Sequence, residues 1–424
     1  MKRPKIAMLH YTAPPIVGGV EAVIQAHARA FVEAGYPVTV VAGWGEQTAL
    51  SSGTEFMCIP EMDSRYEKVA QLSAALEQGQ VPDGFDDLLN CLIETLTATL
   101  DRFDTVIVHN VFTKHFNLPL TAALHYLLDA GKIKRCVAWC HDFTWTSPIS
   151  RSQVYPRYPW DLLRAHRADV TYVVVSERRQ RALAALFECP EGEIRVVYNG
   201  VDPATLMGFS AEGRALVTRL GLLECDLVLL MPVRVTRAKN IEYALRVVAA
   251  LKAQNCRAKL ILTGPPDPHD VQSMAYFRSL QALRQELDVE DEMRFVFESG
   301  PDPDNPHTID ARVVGDLFRA SDLLFMPSHR EGFGIPVLEA GLLGTPVFCT
   351  EMPAAEEIGG ADVNLFDAGD DPVRVAERIL AWAERNPLHR LRRRARQNYT
   401  WRTIFERDIE PLLGNKGGRD VEHS

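Results

Sequence analysis

A chain of 424 residues is longer than one hydrophobic core usually supports, and with 46% hydrophobic and 24% charged residues it has the composition of an ordinary folded protein, so two domains are expected. The formal charge of -10 argues against nucleic acid as a principal partner and lends nothing to a membrane-surface role, while no apolar run approaches membrane-spanning length. The eight cysteines stand singly, without a C-x-x-C pair and several inside apolar runs, as small core residues do in a reducing compartment; a cytoplasmic protein is expected, with peripheral membrane contact left open.

After a short polar start, KIAMLH (residues 5–10) reads as a first strand rather than a signal peptide. YTAPPIVGG is loop, and Val20, Val23, Ile24, His27, Ala30 and Phe31 recur at helical spacing up to Ala34. Gly35 ends that helix and Val38 to Ala42 is the next strand, a βαβ opening of a doubly wound sheet. Gly18 and Gly19 stand just before the helix, where backbone N–H groups can approach a phosphate; turn geometry accounts for a double glycine equally well. Residues 61–100 are less regular, a crossover insertion ending in an amphipathic helix marked by Phe85, Leu88, Leu92, Leu96 and Leu100. Strands at Thr105 to Val108 and Cys136 to Trp139 run into His109-Asn110 and His141-Asp142. Carboxyl ends of strands line the ligand crevice of open α/β sheets, so these polar side chains stand where ligands bind, unless each histidine simply caps its strand.

VTYVVV (170–175) is another buried strand, Ser176 caps the following helix, and IRVVYNGVD (194–202) is a strand ending in an Asn-Gly turn. The polar residues 203–222 read as a linker. The sheet restarts at Leu227 to Pro232, and Ile241, Leu245, Val248 and Leu251 form one helical face with Asn240 as its cap. Arg234 and Lys239 lie between that strand end and that helix start. Two fixed cations there would stabilise a leaving group that gains negative charge, although isolated Arg and Lys residues more often just solvate a surface. KLILTG (259–264) and RFVFE (294–298) are further strands, and a helix from Val313 to Ala320 follows.

It leads into SDLLFMPSHREGFGIPVLEAGLLGTPVFCT (321–350): a buried strand from Leu323 to Met326, a loop with Glu331, Gly332 and Gly334, a helix from Ile335, and a turn at Gly344-Thr345-Pro346 into another strand. Pro336 suits the first helical turn, and the glycines bring backbone N–H groups close to an anion. Glu331 ahead of the helix and Glu339 in about its first turn are carboxylates able to accept from vicinal hydroxyls, which suits a sugar-diphosphate-nucleoside.

The phrase EGFGIPVLE, with ASDLLFMPS before it and GTPV after it, closely resembles the retaining GT-B glycosyltransferases of glycosyltransferase family 4, the E-x7-E or group 1 type. The resemblance implies an α/β fold of two Rossmann-like doubly wound domains facing a central cleft. Residues 1–205 would form the acceptor domain and 206–395 the donor domain, with a C-terminal helix (396–414) returning to the first. It implies that Glu331 contacts the donor sugar hydroxyls and Glu339 the ribose, that Arg234 and Lys239 hold the diphosphate, and that Gly332, Phe333, Gly334 and Ile335 complete the donor loop. His141 would lie beside the donor sugar and Gly18 and Gly19 would face the donor, while Tyr11, His109, Asn110 and Asp142 would serve the acceptor side with His115. Glu356 or Glu357 resembles a family glutamate near the nucleotide.

The reaction implied is transfer of a hexose from a nucleotide-diphosphate sugar to the hydroxyl of a sugar, glycan or lipid-linked acceptor, with retention and with the leaving phosphate taking the proton. No cofactor beyond the co-substrate and no metal are expected, because Asp302 and Asp304 form a D-x-D only within a proline-rich loop where turn chemistry suffices. A phosphorylase on the same fold is disfavoured by a ribose-holding Glu339, and a non-catalytic nucleotide-sugar-binding subunit by the intact Arg234, Lys239, Glu331 and His141. Residues 371–397 read as a helix whose basic run (Arg390, Arg392, Arg393, Arg394, Arg396) is a solvated face rather than a lipid-headgroup patch. Residues 399–413 are a last amphipathic helix, and the tail after Gly414 is expected to be disordered.

Overall fold

The computed structural model describes residues 3–266, 271–302 and 306–414. The chain forms two units, one running to Gly200 and resuming at Trp401, the other comprising Val201–Thr400.

The first unit is built on seven strands: β1 (Ile6–Thr12), β2 (Val38–Trp44), β3 (Thr54–Cys58), β4 (Thr105–His109), β5 (Cys136–Cys140), β6 (Val170–Val174) and β7 (Ile194–Val196). They pair in the order β3-β2-β1-β4-β5-β6-β7, every pair parallel. β1 is buried at all seven positions, its apolar run Ile6–Leu9 followed by the buried His10, Tyr11 and Thr12, as a strand covered on both faces of a sheet must be. One face is covered by the helices Gly84–Leu100 and Leu118–Asp129, the other by the helix Gly19–Glu33 and the C-terminal residues Ile404, Phe405 and Ile409. Strand order reverses between β1 and β4, which opens a crevice at their carboxyl ends.

The second unit repeats the plan with β8 (Leu227–Met231), β9 (Ala258–Leu262), β10 (Met293–Phe295), β11 (Leu323–Met326), β12 (Val347–Thr350) and β13 (Asn364–Phe366). Their order is β10-β9-β8-β11-β12-β13, again wholly parallel, with the reversal between β8 and β11. Among the described residues no helix is long and apolar enough to cross a membrane.

Several expectations need correction. Residues 203–222 are not a linker: they form the helices Pro203–Leu206 and Ala211–Arg219, and Leu216 and Val217 lie in the core of the second unit. The units divide at 200/201 and 400/401, a few residues from the expected 205 and 396. β3 was not anticipated, because an edge strand such as TEFMC is only partly buried and lacks an unbroken apolar run, and the helix Glu67–Glu77 lies within the stretch 61–100 expected to be less regular. Residues 371–397 form two helices, Pro372–Arg385 and Pro387–Asn398, since the proline cannot continue the first. The last amphipathic segment starts as α-helix at Trp401–Ile404, then loosens to a π turn and tightens to a 3-10 turn ending at Leu413. The tail after Gly414 lies outside the described residues.

The basic run is a solvated face only in part: Arg390 and Arg394 are exposed, whereas Arg392, Arg393 and Arg396 are drawn into ion pairs. Arg396 and Asp322 have side chains 1% and 0% exposed and pair at 3.0 Å, while Asp322 Oδ2 also accepts from the backbone N–H of Val228 at 2.9 Å. Arg393 and Gln397 bind Asp226 at 2.7 and 2.8 Å, so the helix Pro387–Asn398 is bolted to the start of β8. Burial alone would raise the Asp322 carboxyl, but His389, Arg396 and Arg392 outweigh it and hold it below the usual carboxylate range. Removing one partner would strand the other charge in the interior. Asp322→Ala should therefore cost the second unit about 3–5 kcal/mol in urea unfolding, whereas Arg390→Ala on the exposed side of the same helix should change it by less than about 0.5 kcal/mol.

Candidate active site

In the second unit, β11 ends at Met326 and the chain leaves the sheet through residues 327–334 before the helix Ile335–Leu343. Gly334 takes the cap position with φ 89°, a left-handed conformation open to glycine without a Cβ penalty, and Pro336 sits in the first turn. The cap residue supplies no side-chain acceptor; Pro336 has no N–H and Val337 N–H donates to the Gly334 carbonyl at 2.9 Å, so of the first three helical positions Ile335 is the one that offers its N–H to an anion. Glu331, with its side chain 9% exposed, accepts Lys239 Nζ on both oxygens at 2.6 and 2.7 Å and Ser328 Oγ at 2.6 Å. Two further bonds fix this loop: His329 N–H donates to the Ala238 carbonyl at 2.8 Å, and the Thr350 hydroxyl at the end of β12 donates to the Ser328 carbonyl. Three neighbouring strands, β8, β11 and β12, thus position one carboxylate.

Lys239 ends the 3-10 turn Arg237–Lys239, and Asn240 follows in the left-handed region at φ 49°. Asn240 does precede the helix Ile241–Ala253 but, contrary to expectation, its side chain makes no capping bond. Arg234 is exposed and has no ion-pair partner among the described residues. Its backbone lies against Gly264, where a Cβ would strike the Val233 carbonyl and the Arg234 Cα, so only glycine lets the loop after β9 close on the loop after β8.

In the first unit, histidines gather where β1, β4 and β5 end. His109 Nδ1 and His141 Nε2 are 3.2 Å apart with their rings stacked, and His10 Nδ1 lies 2.9 Å from the His109 carbonyl. His109 Nε2 is buried without a partner among the described residues. A proton on His109 Nδ1 leaves only a lone pair unpaired at Nε2, the less costly choice; His141 Nε2 then accepts, and the His141 proton resides on Nδ1. Asn110, at φ 63°, uses its side-chain oxygen to accept from the N–H groups of His141 and Asp142 at 2.8 and 3.2 Å and so shapes the loop that carries them. Glu21 is buried just inside the helix Gly19–Glu33 and accepts from Thr12 Oγ1 at 2.6 Å; a Cβ on Gly18 would overlap its carboxylate, which gives Gly18 a packing role.

The structure brings Lys239 and Glu331 together and sets Gly332, Phe333, Gly334 and Ile335 around the same helix start, with Phe333 and Ile335 exposed. Glu339 lies in the second turn of that helix rather than the first, half-buried and without a partner among the described residues. Glu356 and Glu357 are exposed on the helix Pro353–Gly359. Asp142 is exposed and paired with Arg179 at 2.7 Å, and Gly19 has open space where a side chain would go. Tyr11 and His109 are buried at 3% and 0% exposure, and Tyr11 spends its hydroxyl on the Lys114 carbonyl; both support the loops rather than face solvent. His115 is likewise buried, against Thr144 Oγ1 at 2.9 Å. Asp302 is exposed in its loop, and Asp304 lies outside the described residues. Sequence reasoning missed Ser328, Gly264, His10 and Glu21. Glu21 was findable, as an acid two residues after a double glycine at a helix start.

Two family models match the chain in succession, Glycosyltransferase Family 4 over residues 17–205 and Glycosyl transferases group 1 over residues 218–400. An uncharacterized glycosyltransferase of Methanocaldococcus jannaschii is 23% identical over 424 residues, 96% of this chain and 97% of that protein. A D-inositol 3-phosphate glycosyltransferase of Saccharomonospora viridis is 29% identical over 240 residues, 54% of this chain and 52% of its own. Among solved structures, Anabaena HepE in complex with UDP aligns with 96% of this chain and 99% of its own at 18% identity, with a TM-score of 0.35.

Burial holds three clustered histidines neutral: it lowers His27 to about 3 and His141 to about 4, and His109 lies well below its ordinary value. The unfolded chain protonates near pH 6.5, so between there and about pH 4 the unfolded state binds more protons and stability must fall as pH falls. The slope is about 1.4 kcal/mol per pH unit for each such histidine. The urea midpoint of the first unit, followed by hydrogen exchange, should drop steeply from pH 6.5 to 4.5, and His27→Phe should flatten that drop.

Proposed function

The chain belongs to the glycosyltransferases of the group 1 type and has the GT-B fold class of two Rossmann-like units, and we propose that it moves a hexose from a nucleoside-diphosphate sugar to an acceptor hydroxyl, with retention and without a metal ion. The observation that carries this reading is the Glu331–Lys239–Ser328 cluster beside the uncapped helix start at Gly334.

In this reading the diphosphate lies at the amino end of the helix Ile335–Leu343, against the Gly334 and Ile335 N–H groups, with Lys239 and Arg234 as its cations. Charge grows on the diphosphate as the glycosidic bond breaks, so fixed cations and an aligned helix end stabilise the transition state more than the bound donor. Glu331 accepts from sugar hydroxyls while Ser328 and Lys239 hold its orientation, and Glu339 accepts from the ribose. In the first unit, neutral His141 donates from Nδ1 to a sugar hydroxyl, positioned through Nε2 by His109, while Gly19 leaves room beside the helix start. The acceptor, a sugar, glycan or lipid-linked hydroxyl, is served by the segment that carries Asp142. Its proton passes to the departing phosphate oxygen as the new bond forms on the same face. No protein base is then required.

The Lys239–Glu331 pair separates the two glutamates experimentally. Glu331→Gln should weaken donor binding by about 1.5–3 kcal/mol in calorimetry, yet leave the free nucleoside diphosphate bound as tightly or more tightly, because Lys239 loses the charge that neutralises it. Glu339→Gln should weaken both ligands alike. Equal losses of nucleoside diphosphate affinity in the two variants would overturn the assignment. Transfer should also persist after exhaustive EDTA treatment, whereas a complete loss restored by manganese would place a metal in the reaction.

A further inference from the structure

We propose that the first unit carries a zinc-class metal site, formed by His166, Cys189 and Glu193 and independent of the transfer reaction. β6 and β7 are neighbours at the edge of the first sheet, paired through Tyr172 and Ile194, and the segments flanking them meet at one end. His166 lies in the approach to β6, Cys189 just past the helix Glu177–Phe187, and Glu193 at the end of the turn that feeds β7. One donor atom from each lies within 4.8 Å of the other two, and His166 Nε2 is 3.3 Å from Glu193 Oε2. Tetrahedral zinc, with nitrogen and oxygen ligands at about 2.0–2.1 Å, spaces that pair about 3.3 Å apart and sets a thiolate roughly 3.6 Å from either. The three donors therefore frame a space of about one ion.

The frame is built rather than incidental. The His166 ring stands against Tyr172 and Phe187 at centroid distances of 5.4 and 5.8 Å. Glu188, at φ 55°, ends the helix in the left-handed region and turns the Cys189 N–H back to the Ala184 carbonyl at 3.1 Å. Gln180 Nε2 donates to the carbonyls of both Glu191 and Ile194, at 3.1 and 2.8 Å, and clamps the turn that carries Glu193. Imidazole, thiolate and carboxylate together form a borderline-soft set that favours zinc over magnesium or calcium. With side-chain exposures of 22% for His166 and 49% for Glu193, the site is open to an entering ion, and three protein ligands leave a fourth position for water. Burial and the Glu193 charge raise the Cys189 thiol above its ordinary value, so binding must release that proton, which a cation at this distance accomplishes.

The test uses the full chain, stripped with chelator, dialysed and titrated with Co2+ as a spectroscopic probe. Expected is saturable binding of a single Co2+ with a thiolate-to-cobalt charge-transfer band and four-coordinate ligand-field bands, both lost when Zn2+ is added. Cys189→Ser should abolish the charge-transfer band, while Cys58→Ser and Cys91→Ser, at exposed cysteines elsewhere, should keep it. His166→Gln and Glu193→Gln should each weaken Co2+ binding at least tenfold, and Zn2+ should raise the Tm of the unaltered chain but not of Cys189→Ser. Absence of a thiolate band in the unaltered chain, its survival in Cys189→Ser, or undiminished affinity in both His166→Gln and Glu193→Gln would overturn the site and leave His166–Glu193 as a plain ion pair. None of these readouts depends on the donor or on transfer activity.

Discussion

A wholly parallel sheet must be covered on both faces, and that constraint organises each unit of this protein. Each crossover carries the chain from the carboxyl end of one strand back to the amino end of another, so all the carboxyl ends point one way and every strand-to-helix loop emerges at one edge. Where the strand order reverses, between β1 and β4 and again between β8 and β11, neighbouring loops diverge and leave room for a ligand. The residues with chemistry to offer collect there: His10, His109 and His141 in the first unit, Lys239 and Glu331 in the second.

The second unit uses buried opposite charges in two ways. Asp322 and Arg396 are withdrawn from water almost completely and pinned by a strand N–H, so the pair fixes a helix to the sheet and has nothing further to give. Lys239 and Glu331 are only mostly withdrawn, at 19% and 9% exposure, and stand beside a helix start whose cap, Gly334, supplies no side-chain acceptor. Their charges hold each other in place and remain within reach of a ligand. A pair of this kind is preorganised, since the cation and the carboxylate need not be gathered from solvent when a substrate arrives.

The first unit relies on neutral imidazoles instead. Four histidines, His10, His27, His109 and His141, lie within or beside the ends of three strands, and burial favours the uncharged form of each. Protonating any one would bring a cation against the others, so the cluster acts as a set of hydrogen-bonding groups rather than charges. Asn110 and Glu21 bind the backbone and hydroxyl groups around it.

Local signals carried a great deal. Unbroken apolar runs of four or five residues marked the central strands β1, β8 and β11, the 3.6-residue spacing marked the helices Gly19–Glu33 and Gly84–Leu100, and the Glu331-to-Glu339 phrase marked the loop and helix start after β11, because burial on two faces and glycine at a left-handed cap leave direct traces in residue type. Tertiary structure alone decided which charges met. Arg392, Arg393 and Arg396 read as an ordinary solvated run until β8 and β11 brought Asp226 and Asp322 beneath them, and Lys239 met Glu331, 92 residues away, only through the pairing of those same strands. A propensity is a property of neighbours along the chain, whereas an ion pair is a property of neighbours in space, and between distant residues only the folded sheet makes the two coincide.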